Sequence, residues 1–80
     1  MYYVYFIRSI SYPAERYVGL SDDLKQRLKE HNAGKSAHTN KFKPWELVSY
    51  VAFSNRTKAV QFEPYLKQGS GHAFATRRLW

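Results

Sequence analysis

Apolar and polar residues follow one another along this chain in runs whose period changes several times. Tyr2–Ile7 (YYVYFI) is an unbroken β-prone run, the pattern of a strand covered on both faces or central in its sheet. Tyr3, Tyr5 and Ile7 share one face of it, and Tyr2, Val4 and Phe6 the other. Arg8–Glu15, containing Ser9, Ser11 and Pro13, is a polar connection, and Arg16–Gly19 reads as a second, short strand. So short a connection favours an antiparallel hairpin over a crossover. The period then lengthens. Ser21 is a good helix N-cap, and Leu20, Leu24 and Leu28 recur every four residues. This predicts a helix over about Asp22 to Asn32 with an apolar stripe, stopped near Gly34.

Lys35–Pro44 (KSAHTNKFKP) is a basic, polar loop. Trp45–Phe53 (WELVSYVAF) is the third strand, with Trp45, Leu47, Val51 and Phe53 expected on one face. Ser54 or Asn55 caps a second helix reaching about Lys67, with Ala59, Phe62 and Leu66 toward the core. Pro64 interrupts that helix. An interior proline removes one backbone bond, clashes with the preceding turn and costs about 3 kcal/mol, so a kink is expected. Gln68-Gly69-Ser70-Gly71 reads as a break. His72–Trp80 reads as a terminal helix with Phe74 inward and Arg77 and Arg78 outward. The order β-β-α-β-α-α describes one α/β (α+β) domain over residues 1–80, a three-stranded, mostly antiparallel sheet flanked by helices.

Composition narrows the class. Eighty residues can bury only a modest core, and aromatics at 18% suit that need. There is no cysteine, so disulfides and thiolate metal sites are excluded, which fits a reducing, cytoplasmic setting. The apolar N-terminal run is too short for a membrane span and lacks the flanks of a signal peptide. Thirteen basic residues against six acidic ones give +7, which favours a polyanionic partner, nucleic acid first. No basic amphipathic surface helix argues for a membrane.

The candidate chemistry gathers Tyr5 and Tyr17 from the hairpin, Arg27 and His31 four apart on the first helix, and Glu63 on the second. Each has a plainer reading. Strand tyrosines are usually core. Arg27 follows Asp23 by four and can form a surface ion pair worth under about 1 kcal/mol. His31 near a helix C-terminus is a favourable dipole partner. Glu63, beside Phe62, stands at the edge of a cleft or needs a partner.

Together these residues resemble a known family. Tyr3-Val4-Tyr5, eleven intervening residues and Tyr17-Val18-Gly19 resemble the paired motif of the GIY-YIG endonuclease superfamily. The resemblance continues through Arg27 in LKQRLKEHN, His31, Asn32, Trp45 and Glu63 in AVQFEPYLKQGSG, and covers essentially all 80 residues. It is nearest to small, stand-alone, UvrC-like bacterial members. The resemblance implies a metal-dependent DNA endonuclease of repair or processing, with one Mg²⁺ or Mn²⁺ ion, leaving 5′-phosphate and 3′-hydroxyl ends. It assigns Glu63 to the metal, Arg27 to the scissile phosphate, Tyr5 and Tyr17 to the water and a phosphate oxygen, and His31 to assisting them. Some members carry a Lys directly after the second motif, where this chain has Leu20. The initial Gly of the first motif is replaced by Tyr3. Lys35, Lys41, Lys43, Arg56, Arg77 and Arg78 are then expected to attract the DNA backbone, supplying affinity without sequence preference. Two alternatives carry the same fold: a nucleic-acid-binding module without cleavage, and a protein-interaction domain with incidental charge.

Overall fold

The computed structural model describes residues 1–80. Its elements are β1 (Tyr2–Ser9), β2 (Arg16–Ser21), α1 (Leu24–Asn32), β3 (Trp45–Phe53), α2 (Arg56–Tyr65) and α3 (Gly69–Arg78), with a 3-10 turn at Asn40–Phe42. The expected order and fold class hold. The sheet is antiparallel with strand order β2-β1-β3. The central place of β1 explains its unbroken apolar run, because Val4, Tyr5, Phe6 and Ile7 are all buried.

Alternation along β1 divides the core in two. Val4 and Phe6 pack with Ala59 of α2, with Leu66 just past the end of α2, and with Ala75 of α3. Tyr5 and Ile7 pack with Trp45 on the other face, with Tyr17, Leu24, Leu28 and Phe42 around them. Leu20 departs from its expected place in the helical stripe. It pairs with Val4 in β2 and joins the α2 side, whereas Leu24 and Leu28 serve the α1 side. Since β2 runs on to Ser21, the cap of α1 moves to Asp23, whose carboxylate accepts a hydrogen bond from the Gln26 N–H.

Three further expectations are corrected by packing. β3 does not keep one face: Phe6 pairs with Ser49 and Ile7 with Leu47, so Val48 is an extra residue. This β-bulge reverses the alternation, placing Trp45 and Leu47 with Tyr5 and placing Val51 and Phe53 with Val4. α2, capped by Asn55, ends at Tyr65, one residue past Pro64. The proline thus falls in a last turn that is already stopping, instead of kinking a longer helix. α3 starts at Gly69, not His72, and Phe74 faces outward, 43% exposed. The reason lies at Gly71, where a Cβ would meet the carbonyl of Tyr65. So close an approach of α3 to α2 leaves room inward only for small residues, Gly71 and Ala75.

One tie positions the site. The Asn32 side chain at the end of α1 accepts from the Trp45 N–H (2.6 Å) and donates to the Trp45 carbonyl (3.1 Å). The Trp45 indole N–H donates to the Thr39 carbonyl (2.8 Å). Gly34, at φ +78°, turns the chain after α1 into this tied loop.

Candidate active site

Tyr5 is the hub. It stands opposite Gly19 in the β1–β2 ladder, and its ring lies across the space a Gly19 side chain would fill. The glycine of Tyr17-Val18-Gly19 is therefore a place for the Tyr5 ring. Tyr5 is 1% exposed. Its hydroxyl hydrogen-bonds His31 Nε2 at 2.8 Å and accepts from Arg27 Nε at 3.3 Å. The four-residue spacing of Arg27 and His31 on α1 delivers both side chains to this one oxygen. His31 is fully buried, and its Nδ1 hydrogen-bonds Thr39 Oγ1 at 2.6 Å. Thr39–His31–Tyr5–Arg27 is thus one continuous chain, with no buried side-chain polar atom left unpaired.

Tyr17 joins through its ring, edge-on to His31 at 5.3 Å and tilted to Tyr5 at 6.4 Å between centroids. Arg27 forms its ion pair with Glu30 (3.1 Å), not with Asp23, which is occupied as the α1 cap. Arg27 also shares a surface depression of about 370 Å³ with Tyr2, Leu20, Ser21, Asp22 and Arg56.

Burial sets the protonation states. It pushes the Tyr5 phenol up, against the hydrogen bond and charge of Arg27, while Tyr17 and Glu63 push it further up. Burial also lowers the pKa of His31, as does the charge of Arg27, with Glu30 opposing. A neutral phenol therefore faces a neutral imidazole. Arg27 is held more firmly protonated by its hydrogen bond to Tyr5, and its guanidinium holds the Glu30 carboxyl below the usual range.

Tyr5, Tyr17, Arg27 and His31 thus converge, as expected. No hydrogen bond or ion pair joins Glu63 to them. It is partly exposed on α2 and pairs with Lys67 at 3.4 Å, although its charge still reaches Tyr5. No group of three or more His, Asp or Glu side chains is arranged to hold a metal ion. Lys35, Lys41, Lys43, Arg56, Arg77 and Arg78 are exposed, and Lys43 donates to the Asn40 side chain at 3.1 Å. Thr39 was not foreseen. It sits in a polar loop without periodicity, and its burial is imposed by the tie between Asn32 and Trp45.

The sequence pattern of the GIY-YIG catalytic domain matches residues 1–76. The structure-specific endonuclease subunit SLX1 of Candida dubliniensis is 38% identical over 85 residues, 98% of this chain and 28% of that protein. The UPF0213 protein YazA of Bacillus subtilis is 42% identical over 53 residues, 65% of this chain and 54% of that one. A UPF0213 protein from Bacillus halodurans, solved by NMR, superposes with a TM-score of 0.56 at 26% identity, over 99% of this chain and 87% of that chain. The chain spans less than a third of the length of the SLX1 proteins it matches, 28% of the Candida dubliniensis protein and 18% of that from Talaromyces marneffei.

Proposed function

Because the chain belongs to the GIY-YIG family, we propose that it is a nuclease hydrolysing phosphodiester bonds of DNA. The observation that carries this reading is the Tyr5 hydroxyl held between His31 Nε2 and Arg27 Nε. A phenol is a poor base while it keeps its proton. Here its proton has a neutral acceptor 2.8 Å away in His31. Tyr5 passes that proton to Nε2 as it takes one from the attacking water, so that no free phenolate, which burial disfavours, has to form. Thr39 steadies His31 from behind. Arg27, with its remaining N–H groups, binds the scissile phosphate and offsets charge developing on it. Tyr17 orients a non-bridging oxygen. The cation that Leu20 does not supply is thus Arg27.

Glu63 would hold a single Mg²⁺ or Mn²⁺. One carboxylate suits these ions, which keep several waters and complete their shell with substrate phosphate oxygens. When bound, the ion supplies charge stabilisation for the departing 3′ oxygen. Glu63 standing off from the tyrosine cluster is consistent with a substrate phosphate lying between them.

The test is incubation of the pure protein with plasmid and with branched DNA in Mg²⁺ or Mn²⁺, beside Glu63→Ala. Branched DNA is included because the SLX1 relatives are named structure-specific endonucleases. Cleavage that vanishes in Glu63→Ala, with binding retained, is the expected result. A second reading, a binding module of the same fold, draws on the burial that raises the Tyr5 pKa. Salt-sensitive binding with intact DNA in every metal would establish it instead.

A further inference from the structure

α3 turns its small residues inward and its single large apolar residue outward. Gly71 and Ala75 are buried against α2 and the core. Phe74 lies on the opposite stripe with Ser70, Ala73, Arg77 and Arg78, at the spacing of one helical face. These five residues line a depression of about 280 Å³. The two ion pairs of the molecule join Arg27 to Glu30 and Lys67 to Glu63, so Arg77 and Arg78 are both uncommitted. A phenyl ring left in water gains nothing for the fold, and packing explains only why it cannot turn inward.

The geometry points to a binding face for unpaired nucleotides: Phe74 stacks a base, and Arg77 and Arg78 hold the phosphates beside it. This rests on the DNA-directed reading above and names the part of the substrate that α3 takes. An exposed ring flanked by cations fits a single strand, whose bases offer free π-faces. In a duplex those faces are already stacked, and only the arginines would find partners.

Binding is measured by fluorescence anisotropy in the Glu63→Gln background, without divalent metal, on labelled oligothymidine and on a duplex. Phe74→Ala should weaken oligothymidine binding about tenfold and duplex binding less than about twofold, with Phe74→Trp restoring the former. Arg77→Ala with Arg78→Ala should weaken both and flatten the salt dependence. Phe74 is exposed, so an unchanged thermal melt is expected and separates binding from folding. Equal losses on both ligands, or no loss in Phe74→Ala, would overturn the proposal. So would a dimer of the wild type that Phe74→Ala dissolves without DNA, since the face would then cover a second copy. Wild-type cleavage is read separately: unchanged oligothymidine binding with intact cleavage removes this proposal alone.

Discussion

Gly19→Ala is the smallest change that tests how the site is assembled. A Cβ at position 19 meets the Tyr5 hydroxyl and Cζ, and lies 2.9 Å from Cε1. Tyr5 has little freedom to swing away. It is 1% exposed and its hydroxyl is bound on two sides, by His31 and Arg27. The backbone at Gly19 is not left-handed; only Gly34 and Gly69 have positive φ. Without the contact, alanine here would stabilise by about 0.4–1 kcal/mol through the unfolded chain. The contact reverses the sign. Overpacking costs about 1–3 kcal/mol, and a displaced Tyr5 hydroxyl loses a hydrogen bond worth about 1 kcal/mol more. Less the gain through the unfolded chain, a net loss of about 1–3.5 kcal/mol corresponds, in a domain of this size, to a melting temperature lower by on the order of 10 °C. Circular dichroism melts of Gly19→Ala read this directly. Repeating the substitution in a Tyr5→Leu background should reduce its cost below about 1 kcal/mol, because the two residues are coupled by contact. A wild-type melting temperature for Gly19→Ala, or the same cost in both backgrounds, would refute the steric account.

Asn32→Ala removes both bonds to the Trp45 backbone and loosens the entry to β3. These bonds are only part-buried, so water replaces some of the loss, and about 1–2 kcal/mol of destabilisation is expected in a urea titration; an unchanged midpoint would show that the tie does not matter. His31 gives a pH dependence. Its folded pKa lies below the usual 6.5, so the unfolded chain takes up the proton first as pH falls. Stability from this group is complete above about 6.5 and declines below it until the folded pKa is reached. Melting temperatures against pH should therefore drop more steeply on the acid side for the wild type than for His31→Gln, and parallel curves would contradict the assignment.

The strands and their order along the chain were legible because Tyr2–Ile7 and Trp45–Phe53 are long β-prone runs and polar, turn-rich stretches set the short Arg16–Gly19 apart. What was not legible depended on pairing between runs. Ser21 and Asp23 are both good caps, and only the length of the β1–β2 ladder, which takes Ser21 as a strand residue, decides for Asp23. The bulge at Val48 is a mismatch between β1 and β3 and leaves no mark in WELVSYVAF itself. Apolar side chains usually turn inward, which is the basis for expecting Phe74 there. The close approach of α3 to α2 at Gly71 overrides that preference, and nothing local announces such an approach.

The site was legible to the extent that its members share an element or a ladder. Arg27 and His31 are four apart on one helix, and Tyr5 and Tyr17 come from one hairpin whose register brings Tyr5 over Gly19. Thr39 and Glu63 arrive from elsewhere, and their relation to the cluster is set by tertiary packing alone. That packing also separates two roles that the residue types leave open. Histidine and glutamate both ligate divalent ions, yet here both ring nitrogens of His31 are engaged, Nε2 with Tyr5 and Nδ1 with Thr39. A metal on His31 would have to break one of these bonds inside a fully buried pocket, leaving the Tyr5 hydroxyl with Arg27 alone or the Thr39 hydroxyl without its imidazole partner. Glu63, partly exposed and held only by Lys67, gives up a weak surface pair to do the same. Under the proposed reading, proton handling therefore costs less at His31 and ion binding costs less at Glu63.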